Sequence, residues 1–339
     1  MIHTNSKKIK KYLQVIVSLI VLFVVLKWID PGKLIPVLKE INYNLLIISF
    51  FILTIDRILM AFKWNILLRA KNIRISLFEI TKIYYMSNFT GLILPSTIGS
   101  DLIRTHFVVK RKNAAPDVVS SIIIERIIGL IALLIYVLFS IPLLIQIFQN
   151  ANLNSNRLIL LVIALTLISI LTFLLTFNDK ILNFLKESLK KFNNKKLLSK
   201  ISSILQKFIL SYQDYKDKKL ILFFFFLLTL LEIFIGICIN YFVALSFGVN
   251  IELTFFIAYV PIMMLLVRIP ISLNGFGVNE GGAAFFLAMV GIPKIIGFSI
   301  ALVDHFVNII GILPGAFFYI FERDSKKVSF KKELMDEAA

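Results

Sequence analysis

Cysteine, histidine and acidic residues are all scarce in this chain, and each scarcity removes a class of function. The single cysteine, Cys238, lies inside an apolar run. A disulfide within the chain is therefore impossible, and a thiolate metal site lacks ligands. Three histidines, His3, His106 and His305, are dispersed along the sequence and make no zinc-ligand spacing. No H-E-x-x-H, Walker loop or G-x-S-x-G elbow occurs. Gly275-Phe-Gly277 begins like a dinucleotide loop, but Glu280 stands where the third glycine belongs and no βαβ pattern surrounds it. The outer loops Asp30–Asn44 and Gln149–Arg157 are small for an outward-facing sugar-transfer enzyme. The expectation is a chain without catalytic residues, metal or cofactor.

What is abundant is hydrocarbon. Of 339 residues 58% are apolar, with a mean hydropathy of +0.88, against about 45–50% apolar in soluble domains. Apolar runs on the order of 20 residues, enough to span a bilayer, recur throughout. The fold expected is an all-α polytopic integral membrane protein with about seven or eight transmembrane helices. Residues 12–321 would form one transmembrane domain, between a basic N-terminus (1–11) and a tail (322–339).

The expected spans are Tyr12–Ile29, Leu45–Phe62, Val118–Phe148 with Pro142 as a kink, Leu158–Phe177, Leu220–Phe247, Leu253–Ile269 and Lys294–Phe321. Tyr12–Ile29 follows four lysines and precedes no small-x-small cleavage site, so it reads as an uncleaved span. The net charge of +17 comes from 37 Lys and Arg against 20 Asp and Glu. Basic flanks such as KWNILLRAKNIR and DSKKVSFKK fit the positive-inside rule and put both termini on the cytoplasmic side of the cell membrane. The basic residues alternate with spans and form no single basic domain, which excludes a nucleic-acid partner. The loop Asn178–Lys219 carries 11 Lys against four acids. Its apolar stripe, Leu197 to Tyr212 at helical spacing, suits either an anionic headgroup layer or a cytoplasmic hairpin.

Two stretches break the pattern. Leu77–Ile98 is apolar yet carries Glu79, Lys82 and Asn88, ends in LILPSTIGSD and has basic flanks on both sides, so it dips in and returns. Gly281–Ile292, at 12 residues, is too short for a straight span. It follows RIPISLNGFGVNEGG (268–282), which repeats the Pro-Gly-acid order of LILPSTIGSDLIR. Non-helical backbone at membrane depth needs protein or a water-filled cavity to satisfy it. Paired broken segments of this kind mark transporter-like binding sites.

Seven charges fall within spans or at their ends: Asp56, Arg57, Glu125, Arg126, Glu232, Arg268 and Asp304. Facing lipid, each costs roughly 2.5–3.5 kcal/mol at a helix centre. The sum, on the order of 20 kcal/mol, exceeds a fold's net stability of about 5–15. Most must therefore face one another or a polar cavity. Glu125 shares a face with Ser121, Gly129, Ala132 and Tyr136, and Asp304 shares one with Asn308, Gly311 and Gly315; the small residues among them permit close packing. Arg104, Arg126 and Arg268 are the phosphate candidates. Asp101, Glu125, Glu280 and Asp304 would pair with them or receive a cationic headgroup or proton. Asn88, Pro95, Asn274, Gly275 and Gly277 complete the candidate headgroup site.

The segments NFTGLILPSTIGSDLIR (88–104), ERIIGL (125–130), PISLNGFGVNEGG (270–282) and KWNILLRA (63–70) resemble, in this order, the signatures of the lysylphosphatidylglycerol synthase transmembrane, or flippase-like, family. One departure is Gly99-Ser100-Asp101, where many relatives have Gly-Gly-Asp. The resemblance implies about eight helices with re-entrant elements that move lipids between leaflets. In full-length synthases this region precedes a soluble aminoacyl-transferase domain, so the chain is not expected to make lysylphosphatidylglycerol itself. It further implies membrane-lipid partners: anionic or aminoacylated phospholipid, or polyprenyl-linked lipid. Two alternatives stand beside translocation. One is a membrane-embedded transferase with Asp101, Glu125 or Glu280 as base. The other is a non-catalytic partner of a separately encoded synthase.

Overall fold

The computed structural model describes residues 34–92, 97–112, 114–150, 213–268 and 272–320, with isolated positions between 160 and 211. The expected span Tyr12–Ile29, most of Leu158–Phe177, most of the basic loop, Pro95 and the tail 322–339 lie outside the described residues. Among the described residues every regular element is helical. These are α1 (Leu34–Lys39), α2 (Tyr43–Ala70), α3 (Leu77–Gly91), α4 (Thr97–Lys112), α5 (Ala115–Asn150), α6 (Lys219–Ser246), α7 (Leu253–Arg268), a 3₁₀ turn (Leu273–Gly275), α8 (Val278–Ala288) and α9 (Lys294–Ile312). Four helical stretches are long and apolar enough to cross a membrane: Tyr43–Ala70, Ala115–Ile145, Lys219–Ser246 and Lys294–Ile320. The chain is thus an all-α polytopic membrane protein.

Hydropathy places the spans well and misplaces some ends. The Asn42 side chain accepts from Asn44 N at 3.1 Å and starts α2. The helix then runs past Phe62, where the apolar run stops, to Ala70. Lys63, Trp64, Leu67 and Leu68 keep it going because all four are buried against neighbouring helices. It ends where Ile73 N returns to Leu68 O at 3.0 Å and Asn72 takes a left-handed φ of 59°. Pro142 lies within α5 without ending it.

The stretch expected to dip and return is a helical hairpin. Glu79 near the start of α3 pairs with Arg111 near the end of α4 at 3.2 Å. At the other end a Cβ on Gly91 would stand 2.9 Å from Ser100 Cβ. These two contacts make α3 and α4 antiparallel. At 15 residues, α3 is about 22 Å long, short of a hydrocarbon core of about 30 Å. The second misfit is a hairpin as well. Helix α8, 11 residues long, packs back on α9, and Gly291 turns the chain at φ 84°.

Small residues let these elements approach, as the Gly311-x-x-x-Gly315 spacing anticipates. Gly311 packs on Leu53 of α2, and Gly315 on the Tyr85 carbonyl of α3. The largest apolar cluster joins α5, α6, α7, α8 and α9 around Phe256, Tyr259 and Leu287. A second surrounds Trp64 between α2, α3, α4 and α5. At Gly297 an added Cβ would lie 2.8 Å from Ala283 O and 2.9 Å from Ala284 Cα, both backbone atoms that cannot swing aside. Gly297→Val should therefore push α8 and α9 apart and lower stability by about 1–3 kcal/mol, read as a lower melting temperature in detergent. A melting temperature unchanged from wild type would mean that the two helices do not pack this closely.

Candidate functional site

A cavity of about 510 Å³ opens among the helices, within the usual range for ligand pockets of about 300–1,000 Å³. Both broken segments reach it. Asn88, Gly91 and Ser100 line it from the first, and Arg268, Asn274 and Phe276 from the second. The two interruptions that hydropathy leaves unexplained therefore border one space.

Arg268 ends α7 and points into this space. Gly129 of α5 lies beside it: a Cβ there would stand 3.8 Å from Nη2, in ordinary contact with the guanidinium. Arg268 forms no ion pair or hydrogen bond among the described residues. The charges acting on it are Arg126, which repels, and Glu232, which attracts. A planar cation with five donors, set at a cavity wall and lacking a carboxylate partner, is well suited to an anionic group.

The turn after Arg268 is built by residues with left-handed backbone. Asn274, Gly275 and Gly277 have φ of 50°, 80° and 83°. Gly275 also lies under Val267, where a Cβ would come within 2.7 Å of a methyl. Glu280 is fully buried and serves this turn. Its Oε2 accepts from Gly277 N at 2.7 Å, and its Oε1 sits 2.6 Å from His305 Nδ1. The imidazole in turn stacks on Phe276, 4.3 Å between centroids. Glu280 thus fastens the turn and α8 to α9, and it does not line the cavity.

Asp101, Arg104, Glu125 and Arg126 come together elsewhere, in a network of α3, α4 and α5. Arg104 Nη2 lies 2.8 Å from Asp101 Oδ1 and its Nη1 2.8 Å from Glu125 Oε2. Tyr84 OH donates to Glu125 Oε1 at 3.1 Å, and Arg126 Nη2 donates to Asp101 Oδ2 at 2.7 Å. The Arg104 guanidinium also lies over the Trp64 and Tyr84 rings, 4.7 and 5.2 Å from their centroids. Arg104 is buried and ion-paired to both acids, although Nη1 and Glu125 Oε2 form no aligned hydrogen bond, and with its ring contacts it holds these helices together. Half-exposed Arg126 is the member of this network nearest the solvent side.

Asp304 lines the cavity, and so do residues outside the candidate list: Asp56, Arg57, Glu232, His305 and Asn308. Arg57 Nη2 donates to Asn308 Oδ1 at 2.7 Å, linking α2 to α9. On sequence, Asp56 and Arg57 rank lowest among the intramembrane charges because they sit near the end of an apolar run. The extension of α2 to Ala70 moves them inward, and only the helix following that run could have signalled it. Pro95 lies outside the described residues.

One further pair supports the wall. Lys63 of α2, almost fully buried, forms an ion pair with Glu232 of α6 and lies 4.9 Å over the Phe225 ring. Breaking such a pair leaves a buried charge without compensation, whereas replacing both partners removes the charge altogether. Lys63→Met should cost on the order of 3 kcal/mol, and adding Glu232→Met should restore most of it, measured by unfolding of the single and double variants. Strictly additive losses would show that the pair does not carry this load.

A UPF0104 membrane protein of Pyrococcus horikoshii is 21% identical over 319 residues, which cover 88% of this chain and 93% of the relative. No solved structure matches. The lysylphosphatidylglycerol synthase TM region matches residues 12–315, a stretch that takes in both hairpins, the Arg104 network and every cavity-lining charge named above. The chain belongs to the family of the lysylphosphatidylglycerol synthase transmembrane region.

Proposed function

We propose that this chain is a lipid translocase, moving a phosphate-containing lipid between leaflets without chemistry of its own. The observation that carries the reading is Arg268, a cation at the wall of an intramembrane cavity with no ion-pair partner among the described residues. A headgroup phosphate would bind its guanidinium through two parallel hydrogen bonds. Asn88 and Asn279, which line the same cavity from the two hairpins, add neutral donors. Acyl chains would stay in the bilayer while the headgroup passes through the polar interior. The same reading holds for an anionic or aminoacylated phospholipid and for a polyprenyl-linked phosphate.

The transferase alternative draws no support from the geometry. Asp101 and Glu125 are occupied by Arg104, and Glu280 by Gly277 N and His305, so none of these acids is open to act as base. The reading also keeps both termini in the cytoplasm at the cell membrane. One end of the bundle gathers basic side chains in support of that orientation. Lys71 pairs there with Asp214 at 2.8 Å, and Lys218 donates to Ala70 O.

The test is purified protein in proteoliposomes with headgroup-labelled phosphatidylglycerol, aminoacylated phosphatidylglycerol or a polyprenyl phosphate, the outer label bleached by a membrane-impermeant reductant. Wild-type protein should move at least one of them faster than empty liposomes. Arg268→Ala should lower that rate about tenfold or more, the worth of a charge-assisted contact, with melting temperature preserved. Rates equal to those of empty liposomes for every lipid would overturn the reading.

A further inference from the structure

We propose that Asp56 and Asp304 form a proton-carrying site in the cavity wall, through which a transmembrane proton gradient drives the cycle. The coupling rests on the translocase reading, whereas the proton site stands on its own geometry. Both carboxylates are more than nine-tenths buried, at 6% and 7% exposure. Both line the cavity. On each, one oxygen (Asp56 Oδ1 and Asp304 Oδ1) has no hydrogen-bond partner among the described residues. An ionised carboxylate with a bare oxygen at this depth is costly, and intramembrane acids of this kind serve as proton relays.

The surrounding cations leave the two oxygens open: Lys63 and His305 are paired elsewhere, and Arg57, whose Nε also has no hydrogen-bond partner among the described residues, bonds to neither aspartate. Asp56 is faced by Arg57 on its own helix, by Lys63 about two turns further along, and by Glu232 from α6. Lys63 is taken by Glu232. Asp304 is faced by His305 on its own helix, Arg57 from α2, Glu280 from α8 and the Tyr259 hydroxyl from α7. His305 Nδ1 is taken by Glu280. Arg57 lies between the two aspartates but satisfies neither. Its Nη1 is 3.8 Å from Asp56 Oδ2, too long for a hydrogen bond, while its Nη2 is spent on Asn308.

A proton supplies what the site lacks. It adds to Oδ1, removes the charge and breaks no covalent bond, and it leaves by the same oxygen when the cavity opens to the other side. The described residues hold no group of three or more His, Cys, Asp or Glu placed to bind a metal ion, so two lone carboxylates fit a proton better than a metal cation. The position of the pair also provides a route to movement. The aspartates sit on α2 and α9, joined by the Arg57–Asn308 bond, and Asn308 Nδ2 donates to Asp304 O at 2.9 Å. Neutralising Asp304 of α9 removes its attraction on Arg57 of α2 and so loosens the link between the two helices.

The experiment has two arms on the full chain. In nanodiscs, pH-difference infrared spectra should show a protonated-carboxyl band that grows as pH falls. Asp56→Asn and Asp304→Asn should each remove about half of it, and Asp304→Glu, which keeps a carboxyl, should retain a shifted band. Melting curves of each variant guard against misfolding. A band identical in wild type and both Asn variants would overturn the proton site. In proteoliposomes, the wild-type rate of lipid movement should change several-fold under an imposed pH gradient and lose that change with a protonophore. An unchanged rate would overturn the coupling. No lipid movement under any condition would instead count against the translocase reading, with the infrared arm still deciding the proton site.

Discussion

The governing constraint is the cost of an unpaired charge at membrane depth. Lipid offers no hydrogen bonds, so every ionised group on these helices must be met by another part of the chain or by a cavity. The Lys63–Glu232 pair is the plainest consequence. A lysine in the middle of a long helix is tolerated because α6 brings a glutamate to it. That pairing holds α2 against α6, and α2 against α6 forms one wall of the space on which function depends.

The intramembrane charges divide into two kinds. Around Arg104 the network is closed, with two acids and two aromatic rings enclosing one guanidinium, and it serves to fix α3, α4 and α5. Around the cavity the arrangement is open. Among the described residues Arg268 has no partner, and Asp56 and Asp304 each keep a bare oxygen. A closed network is stable and inert. An open one retains unsatisfied groups, and such groups are what a passing headgroup or proton can satisfy. Glu280 belongs to the closed kind although it sits in the second motif, because capping the α8 turn and holding His305 uses both its oxygens.

Much of the fold was legible in the sequence. Among the described residues, long apolar runs gave α5, α6, α7 and α9 to within about a turn, and Pro and Gly beside charges marked both hairpins. The exceptions share one cause. The extension of α2 beyond Phe62 depends on Lys63 and Trp64 being buried, and no local pattern reveals burial of a lysine. The candidate site was legible in part. Asn88, Arg268, Asn274 and Asp304 do face one cavity, while Arg104, Glu125 and Glu280 are equally conspicuous in sequence yet spend their charges internally.

The sequence by itself determined the solvent of this protein, its helical class and the requirement that its charges turn inward, because composition and hydropathy depend on no distant contact. The order of its motifs likewise sufficed for the family resemblance. Only the tertiary structure decided which charges pair and which stay open. Lys63 and Glu232 are 169 positions apart, and Arg57 and Asn308 are 251 apart. Helix packing alone brings such groups within bonding distance, and the same packing leaves Arg268, Asp56 and Asp304 facing the cavity.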